Sequence, residues 1–138
     1  MHFFSISVAM TACTLGGDFT NTTFIDFTEI KSVYGINKTQ IDAFKKNRKF
    51  TCQKPGLYFI TAHVMSSSIF STYRIVKNDV IEMGRIQIAP NRDGGTQNWH
   101  TGTGGAVVWL NTKDTFGLQV WGNKMYIGSF SCMTIIKQ

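Results

Sequence analysis

Hydrophobic and polar positions alternate most regularly in residues 57–64, directly after a Pro-Gly pair. Successive side chains of a β-strand point to opposite faces. One face of this segment therefore carries Tyr58, Ile60, Ala62 and Val64, and the other carries Leu57, Phe59, Thr61 and His63. Pro55 fixes its own φ and Gly56 tolerates positive φ, so the pair predicts a tight turn before the strand. The pattern indicates a half-buried sheet.

Similar short segments recur along the chain with turn residues between them. The Lys77-Asn78-Asp79 corner predicts a hairpin turn with positive φ, which Asn and Asp tolerate better than other side chains. Such spacing of strands is typical of an antiparallel sandwich or barrel. The predicted strands cover residues 3–10, 23–27, 50–52, 57–64, 70–76, 80–85, 104–110, 115–121 and 129–136.

Residues 39–50 are the exception to the strand pattern. Ile41, Phe44 and Lys45 would share one face of a helical turn capped by Thr39 or Asn37, and a basic loop packed by two apolar side chains explains the same letters. The strongest local positive charge lies here, on Lys38, Lys45, Lys46, Arg48 and Lys49. This basic patch suits acidic glycans or phosphate through salt-sensitive attraction, or is a solvated face.

The composition predicts one domain over residues 1–138, large enough to bury a core without a structural metal or disulfide bonds. The formal charge of +6 favours anionic partners, although no motif points to specific nucleic-acid recognition. Residues 1–10 alternate like a first strand and lack the charged start of a signal peptide. No apolar run is long enough for a membrane span. Sequons at Asn21 and Asn37 are typical of a secreted glycoprotein.

Three cysteines, Cys13, Cys52 and Cys132, show no metal or redox spacing. At most one pair can form within the chain, which leaves one thiol.

The histidines do not indicate an enzyme. Around His2, His63 and His100 there is no Gly-x-Ser-x-Gly, no His-Glu-x-x-His and no pair of carboxylates. We therefore expect no catalytic activity, and we expect His63 to be a structural residue whose ring is hydrogen-bonded within the fold.

The longest irregular stretch, residues 88–105, is the main candidate for ligand binding. It combines an aromatic ring, against which a sugar can pack, with polar and charged groups. A second cluster lies between the last two predicted strands and includes Trp121 and Met125, with Trp121 expected in the core or an interface. The candidate ligand-binding residues are Arg85, Arg92, Asp93, Asn98, Trp99, His100, Asn123, Lys124 and Tyr126. Trp99 could instead anchor its loop, and Arg85 could be a solvated residue.

Several blocks, in one order, resemble the globular head domain of the C1q family, within the C1q and tumour necrosis factor superfamily. They are Phe50-Thr51-Cys52, Pro55-Gly56-Leu57-Tyr58-Phe59-Ile60 with His63, Lys77-Asn78, residues 104–110, Lys113-Asp114 with Phe116 and Leu118, and Ser129-Phe130-Ser131. Asp79 and Cys132 stand where the family usually has glycine, so each side chain has to be accommodated by a small neighbour. No collagen-like stalk is present in these residues, as in a head-only member or an isolated head.

The resemblance implies an all-β fold, a ten-stranded jelly-roll sandwich of two antiparallel sheets that assembles as a homotrimer. Some relatives bind calcium in the loop corresponding to residues 88–102, but Asp93 is the only carboxylate in that loop. Calcium prefers six to eight oxygen ligands with several charged. We therefore expect weak calcium binding or none, and no other cofactor.

The favoured function is a secreted trimeric recognition module that binds carbohydrate or lipopolysaccharide-like polyanions, as a lectin of innate immunity. The alternative is a protein-interaction or scaffolding module, either a ligand for a protein receptor or an element of an extracellular or mineralised matrix, with assembly through the leftover thiol. A cytokine of the tumour necrosis factor type is a third interpretation, to which the quoted blocks are less similar.

Overall fold

The computed structural model of the chain describes residues 5–68, 70–88 and 99–138. These residues form eleven strands and one helix. In chain order they are β1 (Val8–Cys13), β2 (Gly17–Phe19), β3 (Glu29–Tyr34), α1 (Lys38–Asn47), β4 (Phe50–Thr51), β5 (Gly56–Ser66), β6 (Thr72–Lys77), β7 (Ile81–Gln87), β8 (His100–Leu110), β9 (Thr115–Val120), β10 (Met125–Ile127) and β11 (Cys132–Lys137). Within the described ranges, no helix is long and apolar enough to cross a membrane.

The strands pair into two antiparallel sheets. The first follows the order β2-β10-β5-β11-β1-β3, and β8 pairs with the other edge of β5 along its whole length. The second follows the order β4-β9-β6-β7. Central strand β5 therefore holds β8 on one side and β11 on the other, which is why the 57–64 pattern is so regular.

The core lies between the two sheets and uses one face of each strand. In β5 the buried and exposed residues alternate as predicted, with Tyr58, Ile60, Ala62 and Val64 buried. Full burial of an aliphatic side chain such as Ile60 or Val64 stabilises the fold by about 1.5–3 kcal/mol. The Tyr58 hydroxyl donates to the Lys54 carbonyl at 2.6 Å, so its polar atom is satisfied inside the core.

One predicted strand is wrong, and three observed strands were not predicted. Residues 23–27 form no strand. They run beside β9 with an isolated bridge from Phe24 to Gln119 and a backbone hydrogen bond from the Ile25 amide to the Leu118 carbonyl at 2.8 Å. Strand β3 is almost entirely exposed, so it carries no alternation to detect. Strands β2 and β10 have three residues each. Of the first predicted strand, residues 3 and 4 lie outside the described residues, residues 5–7 are not strand, and β1 begins at Val8.

Residues 38–47 form a helix rather than a loop. Asn37 is the N-cap, and its side chain accepts from the Gln40 backbone while the Gln40 side chain accepts from the Asn37 backbone. Phe44 is the buried anchor, and Arg48 ends the helix in the left-handed conformation with φ 63°. Lys45 and Lys46 lie exposed in the last turn, where they complement the helix dipole.

Cys13 and Cys132 form a disulfide between directly opposed positions of β1 and β11. The Cys132 side chain is therefore accommodated by a covalent partner and not by a small neighbour. The remaining thiol, Cys52, is fully buried, and this burial raises its pKa. The expectation of assembly through the leftover thiol is wrong, because no partner chain can reach a buried sulfur.

The turn between β6 and β7 and the turn between β8 and β9 contact each other. Asn78 and Asp79 adopt positive φ, 51° and 66°, as predicted. The Asp114 carboxylate accepts from the Asn111 backbone amide at 2.8 Å and from the Asn78 side chain at 3.1 Å. These bonds, with Lys77 nearby, hold the pKa of Asp114 below its usual value, the Asn111 amide contributing most. Lys77-Asn78 and Lys113-Asp114 are thus one structural unit.

Candidate ligand-binding site

Six of the nine predicted site residues lie in the described part of the chain, and they gather at one end of the sandwich. This is the end where β5 finishes and β8 begins, since Ser66 pairs with His100. Arg92, Asp93 and Asn98 lie outside the described residues. Two depressions flank the segment from Trp121 to Gly128. Trp99 and Tyr126 line the first, Arg85 and Asn123 line the second, and His100 and Lys124 line neither.

The first depression, the aromatic groove, has a volume of about 360 Å³. Its lining residues are Leu15, Gly16, Gly17, Met65, Trp99, Tyr126, Ile127, Gly128, Ser129 and Phe130. Trp99 and Tyr126 pack together with ring centroids 5.5 Å apart and planes tilted by 49°. They remain 43% and 46% exposed, so the pair presents aromatic surface to a ligand. The volume lies within the usual range for small-molecule sites.

Two glycines allow this groove to form. A Cβ at Gly128 would lie 3.1 Å from Trp99 Cζ3 and 2.8 Å from Met65 Cγ, so the indole packs against a bare backbone. Gly16 has φ 85°, and a Cβ there would lie 2.7 Å from the Ile127 carbonyl oxygen. The β1–β2 loop can therefore lie directly against the end of β10.

Backbone hydrogen bonds fix the groove wall between β10 and β11. The Thr14 amide donates to the Ser131 carbonyl at 3.0 Å, and the Met65 amide donates to the Ser131 hydroxyl at 2.9 Å. The Cys13–Cys132 disulfide flanks these bonds on both strands. The wall therefore has a defined position before any ligand arrives.

Lys124 and His100 stand beside the groove rather than in its lining. Lys124 Nζ lies 3.6 Å from an Asp18 carboxylate oxygen, and both side chains are exposed. His100 is half-buried at the start of β8, and its Nε2 has no hydrogen-bond partner among the described residues. His63 is exposed on the outer face of β5, which corrects the expectation of a ring hydrogen-bonded within the fold.

The second depression, the arginine cleft, has a volume of about 430 Å³. Its lining residues are Phe70, Thr72, Arg85, Gln87, Trp121, Gly122 and Asn123. Trp121 is half-buried, and the guanidinium carbons of Arg74 and Arg85 lie 3.7 and 5.6 Å from its ring centroid. Trp121 therefore contributes to this surface and is not a pure core residue.

Sequence reasoning missed several residues of these two surfaces. Leu15 and Phe130 are 68% and 77% exposed at the groove, and Phe70 lines the cleft. Phe130 was interpreted as strand, but β11 begins only at Cys132. The Gly16-Gly17 pair was the available signal for a close approach of backbone.

A third surface, the apolar face, lies on the outer side of β5 and β8. Its members are Leu57, Phe59, Val107 and Trp109, each between 43% and 55% exposed. They form two cross-strand pairs, Leu57 with Trp109 and Phe59 with Val107. Contiguous exposed apolar residues of this kind mark interaction surfaces.

The described residues contain no group of three His, Cys, Asp or Glu side chains that could hold a metal ion. Most of the loop on which the calcium expectation rests, including Asp93, lies outside them.

No protein-family model matches the sequence, and comparison with curated proteins gives no match either. Solved structures do match over nearly the whole chain. The globular domain of zebrafish complement 1qA protein aligns with TM-score 0.72 and 16% identity, over 94% of this chain and 95% of that one. Murine APRIL aligns with TM-score 0.73 and 8% identity, over 95% and 98%. Eiger TNF from S. frugiperda aligns with TM-score 0.66 and 8% identity, over 95% and 90%. The chain therefore has the same jelly-roll fold as these C1q and tumour necrosis factor structures.

Proposed function

We propose that residues 1–138 form one extracellular recognition domain, without catalytic activity, that assembles as a homotrimer and binds carbohydrate on microbial surfaces. The observation that carries this proposal is the exposed pair of Trp99 and Tyr126 in the aromatic groove. The likeness to C1q and tumour necrosis factor structures supports a recognition or ligand module in general.

Carbohydrate suits the aromatic groove because a sugar ring carries one face of C–H groups. Such a face packs against an aromatic ring and excludes water from both. Polar groups at the rim, including the Ser129 side chain and nearby backbone amides, can satisfy the hydroxyls. The lining is otherwise mostly apolar, so neutral saccharides are the ligands it favours.

The apolar face supports the trimer. Burying its four side chains against other copies removes a large exposed apolar area from water, which favours association. Trp109 lies near the end of β8 and Trp99 lies just before its start, about 33 Å apart at the usual rise per residue. Trimer contacts at the apolar face would therefore leave all three grooves open, and avidity would strengthen a weak monovalent site.

An extracellular location is supported by the Cys13–Cys132 disulfide, since such bonds persist in oxidising compartments and are rare in the cytosol. We further propose that calcium contributes little to binding.

A glycan and lipopolysaccharide array tests the ligand class, with and without chelator and at low and high salt. We expect binding to a defined class of neutral sugar that survives both salt and chelator. Binding to every polyanion that disappears at high salt would contradict the proposal.

Two substitutions at one position test the site. Trp99→Leu keeps apolar bulk but removes the aromatic face, whereas Trp99→Phe keeps an aromatic ring. We expect Trp99→Leu to weaken binding about tenfold, because loss of roughly 1.4 kcal/mol of aromatic contact lowers the affinity by that factor. Trp99→Phe should weaken binding less. Equal binding by all three proteins would place the site elsewhere.

Sedimentation equilibrium tests the trimer, with an expected mass of three 15.5 kDa chains. Val107→Lys should dissociate it by placing a charge in the apolar face. Val80→Lys is the matched control, because Val80 is 76% exposed in the β6–β7 turn. A trimer unaffected by Val107→Lys would mean that another surface makes the contact.

A further inference from the structure

The arginine cleft has a chemistry that the aromatic groove lacks. Its walls are two aromatic residues, Phe70 and Trp121, and its polar groups include the Arg85 guanidinium and the Asn123 and Gln87 amides. The two depressions share no lining residue. They are therefore two separate surfaces at the same end of the molecule.

The cleft is electropositive because two arginines share one carboxylate. Arg85 Nε and Nη2 both contact one oxygen of Glu82, at 2.8 and 2.7 Å. Arg74 Nη1 lies 3.7 Å from the same oxygen, and Arg74 Nε donates to the Gln119 side chain at 2.8 Å. In the part of the chain that the structure describes, these two positive charges against one negative charge leave a net positive charge beside Trp121.

The two arginines have different roles. The Arg74 side chain is only 12% exposed and stacks on the Trp121 ring, so it supports the wall of the cleft. The Arg85 side chain is 48% exposed. A guanidinium has five N–H donors in a planar fork. Glu82 holds Arg85 in place through one oxygen, and with respect to the described residues donors remain for a second, incoming carboxylate.

Phe70 provides an independent observation at the same place. Its φ is 57°, in the left-handed region that is unfavourable for an aromatic residue, and it is 59% exposed. Burial of the Phe70 ring therefore does not offset the free-energy cost of this backbone conformation. Unfavourable backbone geometry of this kind is concentrated at ligand-binding sites, and here it places an aromatic ring at the cleft.

We propose that the arginine cleft binds a saccharide unit carrying a carboxylate, such as a uronic acid. The sugar ring lies against Trp121 and Phe70, its carboxylate pairs with Arg85, and its hydroxyls bond to Asn123 and Gln87. This site rests on the proposed recognition function for its ligand class, saccharide, and it uses a different surface.

The three tryptophans allow each surface to be observed separately, because Trp99 lies in the aromatic groove, Trp109 in the apolar face and Trp121 in the arginine cleft. Their indole N–H signals in a ¹H–¹⁵N spectrum of the whole protein are assigned with Trp→Phe variants. The probes are methyl glucuronide and methyl glucoside, which differ only at C6, where one carries a carboxylate and the other a hydroxymethyl group.

We expect methyl glucuronide to shift the Trp121 signal and to bind there about tenfold more tightly than methyl glucoside, as one charge-assisted hydrogen-bonded pair predicts. Arg85→Gln should remove that preference, and Arg85→Lys should keep only part of it, because the charge stays and the fork is lost. Lys113→Gln is the control, since it makes the same charge change in the turn at the other end of β9.

An unshifted Trp121 signal, an equal response to both glycosides, or an Arg85→Gln protein that behaves like the wild type would overturn the proposal. The Trp99 signal keeps the two sites distinct. A Trp99 response to neutral saccharides without a Trp121 response refutes the cleft alone, and a Trp121 response to the glucuronide without any Trp99 response to saccharides refutes the groove alone.

Discussion

Removal of the Cys13–Cys132 disulfide should destabilise the protein by an amount set mainly by the length of the loop it closes. The two cysteines are 119 residues apart in sequence. In the chain-entropy description, closing a loop of about 100 residues restricts the unfolded chain by roughly 4.7 kcal/mol. Since the cysteines are directly opposed on paired strands, the folded state should change little. We expect Cys13→Ala/Cys132→Ala to lower the free energy of unfolding by about 3–5 kcal/mol.

Urea unfolding followed by tryptophan fluorescence measures this loss, at one fixed protein concentration because dissociation of the proposed trimer would make stability concentration-dependent. Either single alanine variant should lose nearly as much as the double variant, since either one removes the same bond. Dithiothreitol should lower wild-type stability to the level of the double variant and leave the double variant unchanged. A Cys52→Ala protein should still respond to dithiothreitol, because Cys52 is not in the disulfide. A loss below about 1 kcal/mol would refute the loop-closure reasoning.

Three further substitutions test the structural account. Asp114→Asn should lower the urea midpoint at pH 7, because a carboxyl with a lowered pKa stabilises the fold while it is ionised. The difference from the wild type should shrink as pH falls below about 4 and disappear below the lowered pKa of the folded protein, and a pH-independent difference would contradict this. Gly128→Ala should weaken saccharide binding and shift the Trp99 indole signal, since the new Cβ would displace that ring, and an unshifted signal would show that the ring has room. Phe70→Gly should weaken methyl glucuronide binding but change the free energy of unfolding by less than about 1 kcal/mol, because relief of the left-handed backbone offsets the greater freedom of glycine in the unfolded chain. A larger loss of stability on thermal unfolding would assign Phe70 a packing role.

The success of sequence reasoning depended on whether each element buries one regular face. Residues 57–64 were predicted correctly because β5 lies between two strands and packs one face on the core. Strand β3 gave no signal because almost all of it is exposed. The alternating residues 23–27 were misassigned because their burial comes from packing along β9, with one isolated bridge in place of a strand ladder.

The candidate site was only partly accessible to the same reasoning. Aromatic and charged residues in or next to irregular stretches made Trp99, Tyr126 and Arg85 candidates, although Tyr126 lies in β10 and Arg85 in β7. The sequence could not show that these residues belong to two surfaces, the aromatic groove and the arginine cleft. It also could not show that Phe70, just before β6, and Leu15, in the β1–β2 loop, line these surfaces. These residues converge only through strand pairing between distant segments.

The sequence by itself determined the class of fold and several local conformations, since the alternation in β5 and the Asn78-Asp79 corner act through the residues next to them. The tight turn predicted at Pro55-Gly56 is not observed, because the chain bends at Gln53 and Lys54 and Gly56 already begins β5. Only the tertiary structure decided which cysteines pair, which face of β5 and β8 stays apolar and exposed, and which arginines pair with Glu82. The physical reason is the distance along the chain over which each effect acts. Backbone propensities act over a few residues, whereas a disulfide across 119 positions and a guanidinium stacked on a distant indole require the sheets to be assembled first.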